Sequence, residues 1–313
     1  MNQEEEEPKG HWMQRISFLL SLAIFSWILA TFFISLGGDN LLSAGNVALI
    51  PITGTIVSEE STDLFGSGGV ASSTIVDYIQ KADANPNIKA ILFEIDSGGG
   101  SAVASDEIAT AIHKVNKTTV AWIRETGASG AYWIASATNH IVANRMSITG
   151  SIGVIASYLE FAGLLAHYNV TYERLTAGKY KDIGSPYIDM TPEEKNLFQE
   201  QLDIIHGYFI DEVAKNRNLT RNQTEDLATG MFYIGSQALK YHLIDELGGK
   251  EEAVKYIESK LNITAEIAEY KPRTTFLDII KNVFSEQSYT LGKGIGDAFA
   301  TKTQEKSTLS ITT

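Results

Sequence analysis

Residues 88–101 read IKAILFEIDSGGGS. The first eight are an apolar run of strand length, rich in isoleucine and closed by turn-forming residues. A run that is apolar on both faces predicts a strand covered on both sides, as in a parallel sheet. It leads straight into Asp96-Ser97-Gly98-Gly99-Gly100-Ser101. The pattern then repeats. Ala104, Ile108, Ala111, Ile112 and Val115 fall on one helical face, and residues 119–123 (TVAWI) predict a further strand. That strand ends in Glu125-Thr126-Gly127-Ala128-Ser129-Gly130. Strands alternating with helices, each closed by a glycine-rich turn, predict an α/β fold with a largely parallel sheet. Ligands of such sheets bind beyond the carboxyl ends of the strands. Both glycine-rich turns therefore belong to one site.

Upstream, residues 47–57 (VALIPITGTIV) predict a buried strand that tolerates breaks at Pro51 and Gly54. Residues 58–73 read as a polar, glycine-rich loop, and Ile75, Val76, Ile79 and Ala82 follow helical spacing. Downstream, residues 131–137 predict a short apolar helix, residues 141–143 a strand, and residues 158–167 a helix. Thr191-Pro192-Glu193-Glu194 is a capping box with proline at the first helical position, opening a helix to about residue 215. Residues 222–261 read as a loop, a short strand and two helices. The tail has one amphipathic stretch (Phe276, Leu277, Ile280, Phe284) and then a polar end. No internal repeat is visible.

The formal net charge is −13, from 38 acidic against 25 basic residues, with no cluster of Lys and Arg. That argues against a phosphate-binding surface and so against nucleic acid as a partner. Cysteine is absent, which removes disulfides, thiolate catalysis and cysteine metal sites. Neither a metal nor a cofactor is expected. Residues 16–36 (ISFLLSLAIFSWILATFFISL) carry no charge. As a helix they would be roughly 31 Å long, about one bilayer core and longer than a signal-peptide core. The expectation is one uncleaved transmembrane anchor over residues 16–37. Lys9 and Arg15 precede it, and the next basic residue is Lys81. This asymmetry predicts a cytoplasmic tail (residues 1–15) and a large domain outside the inner (plasma) membrane, periplasmic or extracytoplasmic.

Ser129 lies between small residues where a strand meets a helix, so a substrate backbone can approach its hydroxyl. The helix start offers unpaired N–H groups for a developing oxyanion. The competing reading is an ordinary N-cap serine. The segment half-matches the G-x-S-x-G nucleophile elbow, with Ala131 in place of the last glycine. That fold requires a downstream histidine. His140, His167, His206 and His242 follow, none in a histidine motif. A serine nucleophile needs a base, and lysine is the other candidate. Its ordinary pKa of about 10.4 is too high unless burial lowers it. Lys179 and Lys181, in residues 178–186 (GKYKDIGSP), both sit beside apolar and small residues, and composition does not choose between them.

Residues 123–154, including GASGAYWIASATNHIVANRMSITGSIGV, and residues 179–186 (KYKDIGSP) resemble the signal peptide peptidase A (protease IV) family of serine–lysine peptidases. The DSGGGS turn and Gly235-Ser236-Gln237-Ala238 with Leu243-Ile244-Asp245-Glu246-Leu247-Gly248-Gly249 are similar to further family motifs. The resemblance spans roughly residues 46–260. It implies a Clp-protease- and crotonase-like core in a peptidase domain over residues 46–264, followed by a C-terminal tail (residues 265–313). It implies Ser129 as nucleophile, Lys181 rather than Lys179 as general base, and Ser151 as the residue orienting that lysine. It also implies the N–H groups of Gly130 and Gly99 as oxyanion donors, with Gly100 as the close alternative to Gly99. The family often has Asn-Ser-Pro-Gly-Gly where this chain has Asp96-Ser97-Gly98-Gly99-Gly100. The implied assembly is a homo-oligomeric ring, and the implied substrates are peptides, remnant signal peptides above all. A catalytically inactive membrane scaffold, a crotonase-type acyl-CoA enzyme and an α/β-hydrolase esterase are the competing functions.

Overall fold

The computed structural model describes residues 11–36, 45–59 and 69–271. Helix α1 (His11–Leu36) comes first, and it starts five residues before the expected anchor. Among the described residues no helix is long and apolar enough to cross a membrane. The expected anchor over residues 16–37 is thus not shown here, and a membrane role for α1 rests on the sequence.

The next elements are β1 (Val47–Thr53), β2 (Thr55–Val57), β3 (Gly69–Ala71), α2 (Ser72–Ala84), β4 (Ala90–Ser97), α3 (Ala102–His113) and β5 (Thr118–Ala128). They are followed by α4 (Gly130–Ser136), β6 (His140–Ala143), β7 (Ile148–Gly150), α5 (Ala162–His167) and α6 (Pro192–Asn216). The remainder is α7 (Arg221–Leu227), β8 (Phe232–Ile234), α8 (Gly235–Lys240), β9 (Glu246–Leu247), α9 (Lys250–Leu261) and β10 (Ile267–Glu269). The main sheet has the order β10-β1-β4-β5-β6-β9, and all these neighbours pair in parallel. The α/β class with a largely parallel sheet follows as expected from strands apolar on both faces.

The two faces of the sheet are covered differently. Ala48, Ile50, Ile52, Ile91, Phe93 and Ile95 join residues of α2, α3, α4 and α6 in the larger core. Val47, Leu49, Leu92, Val120 and Val142 pack with Ala253 and Ile257 of α9 on the other side. Alternate residues of one strand thus serve opposite cores. One lock ties the layers together. Arg217, its side chain only 7% exposed, donates to both carboxylate oxygens of Asp245 and to the His242 carbonyl. Asp245 also accepts the Ile141 N–H at the start of β6. Tyr132 OH donates to the Leu243 carbonyl at 2.8 Å, and burial pushes the phenol well above its ordinary range.

Several elements depart from the expectations. The strand expected at residues 47–57 breaks at Gly54, which has φ 81°, into β1 and β2. The strand expected at residues 119–123 runs on to Ala128. Its register against β4 shifts, pairing Ile95 with Ile123 but Ser97 with Gly127. The polar residues Arg124 and Glu125 fill this bulge, which interrupts the apolar pattern without ending the strand. Beyond it, β5 pairs with β7, a strand too short and polar to stand out, and β7 pairs antiparallel with β8. The helix expected over residues 158–167 forms only from Ala162, and none of its residues is buried. The amphipathic stretch expected at residues 276–284 lies outside the described residues.

Candidate active site

The carboxyl ends of β4 and β5 carry the two glycine-rich turns, and the turns touch. A Cβ placed on Gly99 would lie 2.7 Å from the Gly130 nitrogen and 2.9 Å from the Ser129 Cβ. Only glycine permits this approach, and Gly99 also has φ +99°. Ser129 sits between β5 and α4 with φ 54° and ψ −127°, a conformation that costs a non-glycine residue on the order of 1–3 kcal/mol. Its N–H donates to the Gly150 carbonyl at 2.8 Å, and its carbonyl accepts from Trp133 at 3.0 Å. Its hydroxyl makes no capping bond to α4. The ordinary N-cap reading therefore fails. Within residues 127–138 only Ser129 is not buried.

Two N–H groups frame this hydroxyl. Gly130 opens α4, so its N–H has no intrahelical acceptor. The Gly99 N–H is already engaged, donating at 3.0 Å to Ser97 Oγ. The Gly99 carbonyl accepts from Ile56 N–H at 3.0 Å. Peptide planarity then turns the Gly100 N–H away from Ile56. A Cβ on Gly130 would lie 3.4 Å from that Gly100 nitrogen, so it faces the start of α4. Gly100 is exposed while Gly99 is buried. Among the described residues no acceptor takes the Gly100 N–H.

The pairing of Ala128 with Gly150 brings Ser151 beside this turn. Ser151 has φ 51°, takes the Met231 carbonyl with its N–H, and donates from Oγ to the Gly230 carbonyl at 3.0 Å. Among the described residues Lys181 makes no side-chain hydrogen bond to Ser129 or to Ser151, whose Oγ is bonded to Gly230. It lies in an exposed turn, where its N–H donates to the Gly178 carbonyl at 3.2 Å. Among the described residues Lys181 is in no ion pair. Lys179 behaves differently. Hydrogen bonds from Lys179 and from the Tyr180 hydroxyl to Glu193 hold its ammonium well above the ordinary lysine range and hold the Glu193 carboxyl below its own.

Among the described residues no histidine is hydrogen-bonded to Ser129. His140 starts β6 opposite Val120, at the far end of β5, and stacks on Tyr256 beside Glu246. Eight residues of strand separate Val120 from Ala128, roughly 26 Å. His113 pairs with Glu212, and His167 packs edge-on against Tyr168. Among the described residues no group of carboxylates and histidines could hold a metal ion. The residue that sequence reading passed over is Ser97. Its position before three glycines at a strand end was the available sign.

Comparison with known proteins follows this geometry. The model of Peptidase family S49 matches residues 111–264, a span containing Ser129, Ser151 and Lys181 but not the Gly98–Gly100 turn. The candidate protease MJ0651 of Methanocaldococcus jannaschii is 33% identical over 272 residues, covering 77% of this chain and 86% of that protein. The candidate signal peptide peptidase SppA of Enterococcus faecium is 32% identical, covering 73% of this chain and 68% of its own. Protease 4 of Haemophilus influenzae is 31% identical over 69% of this chain but only 35% of its own length. Among solved structures, the 1510-N membrane-bound stomatin-specific protease with a substrate peptide aligns at a TM-score of 0.50 and 18% identity, over 77% of this chain and 99% of its own. That likeness speaks to the fold.

Proposed function

This chain belongs to peptidase family S49 and is a serine peptidase, and from that premise we propose that it cleaves peptide bonds with Ser129 as nucleophile and Lys181 as general base. The observation that carries this reading is Ser129 itself. It is the accessible residue of a buried turn, held at positive φ, with a hydroxyl free of capping duty. Neutral Lys181 takes the proton as Ser129 Oγ attacks the peptide carbonyl. The tetrahedral oxyanion rests on the N–H groups of Gly130 and Gly100. Gly100 is preferred to Gly99 because Ser97 already accepts the Gly99 N–H. The amine leaves with the proton from Lys181, and water resolves the acyl-enzyme by the same route. Ser151, which follows the β7 residue paired with Ala128, is the proposed hydroxyl that orients the lysine amine.

The exposed position of Lys181 fits an assembly in which a neighbouring copy of the chain supplies the base. Ile155, Leu159, Leu164, Tyr168, Val170 and Leu175 are exposed in the same segment, an apolar surface that a second copy would cover. A closed homo-oligomeric ring satisfies both needs. Helix α1 is the proposed membrane anchor, since Phe18, Leu19, Leu20, Phe25 and Trp27 expose apolar side chains on several of its faces. With the lysine and arginine asymmetry, this puts the peptidase domain outside the inner membrane. Remnant signal peptides left in that membrane are the proposed substrates, in keeping with the name of the Enterococcus faecium relative.

The test is hydrolysis of apolar peptides by the purified chain and its variants. Ser129→Ala and Lys181→Met should each lower kcat about 10³-fold or more. Undiminished turnover in either variant overturns the dyad. Loss in His140→Ala instead would favour a histidine-based esterase.

A further inference from the structure

Ser97 closes β4 with 2% of its surface exposed, and its hydroxyl makes two bonds. It donates at 2.6 Å to the carbonyl of Gly54, the residue at which β1 breaks into β2. It accepts at 3.0 Å from the Gly99 N–H. One buried hydroxyl therefore joins the ends of two neighbouring strands to the glycine turn. The peptide on the other side of Gly99 is held by Ile56, whose N–H reaches the Gly99 carbonyl at 3.0 Å. Its own carbonyl takes the Ser101 N–H at 2.8 Å. With both sides of Gly99 fixed, the Gly99–Gly100 peptide has one orientation, and the Gly100 N–H points to the start of α4. The two hydrogen bonds of the Ser97 hydroxyl go to Gly54 and Gly99, and neither goes to Ser129.

We propose that Ser97 is a positioning residue for the oxyanion site. Its hydroxyl withdraws the Gly99 N–H from the cleft and pins the turn so that the Gly100 N–H is presented in its place. This rests on the assignment of Ser129 and Gly100 above. Without the hydroxyl, Gly99 has an unpaired buried donor, and its peptide can turn to seek another acceptor. The Gly100 N–H then loses its fixed aim, and preorganised donors matter most for developing charge. The effect should fall on the transition state and leave ground-state peptide binding intact.

The test compares the full chain with Ser97→Ala and Ser97→Cys, the latter keeping a weak donor and acceptor of similar size. Three quantities are measured: kcat and KM for one peptide, inhibition by the matching peptide aldehyde, and affinity for the cleaved product peptide. The aldehyde forms a hemiacetal with the nucleophile and so reports on the oxyanion site. Ser97→Ala should lower kcat about 10- to 100-fold and weaken the aldehyde by a similar factor, with KM and product affinity within about twofold. Ser97→Cys should fall between. Wild-type kcat and aldehyde affinity in Ser97→Ala overturn the proposal. So does a loss shared equally by product affinity, which marks a general structural role. If Ser97→Ala does not fold, Ser97→Cys decides alone by the same two criteria. Ser129→Ala is run alongside. Full activity there sinks the nucleophile assignment, whereas an inactive Ser129→Ala with unaffected Ser97 variants sinks only the role of Ser97.

Discussion

The glycine turns around Ser129 and the segment of residues 151–191 that carries Lys181 are built in opposite ways. Around Ser129 nearly every neighbour is buried and the turns are pinned by named partners, from the strained φ of Ser129 to the Ser97 hydroxyl with its two hydrogen bonds, which leaves the Gly100 N–H without an acceptor among the described residues. In residues 155–181 nearly every side chain is exposed, and regular structure is confined to α5. The difference teaches that one chain's own core can fix the surroundings of Ser129 closely, while Lys181 is left on a surface that the core does not fix. Strain at a nucleophile requires rigid surroundings to maintain it. A lysine that must lose its charge requires desolvation, which an exposed turn does not supply.

The sharpest way to break this comparison is to mix the two halves. Ser129→Ala and Lys181→Met chains should each be inactive alone. Reassembled in equal amounts, they should regain up to about a quarter of wild-type activity if each lysine serves a neighbour's serine in a symmetric ring. No recovery would place Lys181 with the serine of its own chain and remove the contrast. Next comes the rigidity of the core. Arg217→Ala removes one partner of the Arg217–Asp245 pair, which is buried on the arginine side and 31% exposed on the aspartate side. It should destabilise the fold by about 2–3 kcal/mol in denaturant unfolding, less than a fully buried pair would. A loss below about 0.5 kcal/mol would show that the layers do not depend on this lock. The smallest effect concerns the neighbouring lysine. Lys179→Met breaks an exposed pair with Glu193 and should leave kcat within about twofold and stability within about 0.5 kcal/mol. A large fall in kcat would mean that Lys179, not Lys181, is the base.

The legible parts of the fold were those with local causes. The eight-residue apolar run became β4, and both halves of the Thr191 capping box are present at the start of α6. The partners of β5 beyond its bulge were hidden, because β7 and β8 are short strands paired over 80 residues of chain separation, and neither carries a run of its own. At the site, the contact between the two glycine turns followed from strand polarity alone. Which glycine presents a free N–H did not, because it depends on Ser97 Oγ and Ile56, partners that spacing does not reveal. The choice of Ser129 over an ordinary cap was likewise a matter of backbone angles. Lys181 could be selected over Lys179 only by resemblance, because both lysines lie in one short exposed segment.

The central claim is that Ser129 is the nucleophile, and covalent labelling tests it most directly. The chain is treated with a fluorophosphonate, digested, and its peptides weighed. The account predicts one modified residue, Ser129, with modification and peptide hydrolysis lost together and labelling strongly slowed in Lys181→Met. Modification of another serine with Ser129 untouched, or peptide hydrolysis persisting in Ser129→Ala, would contradict it.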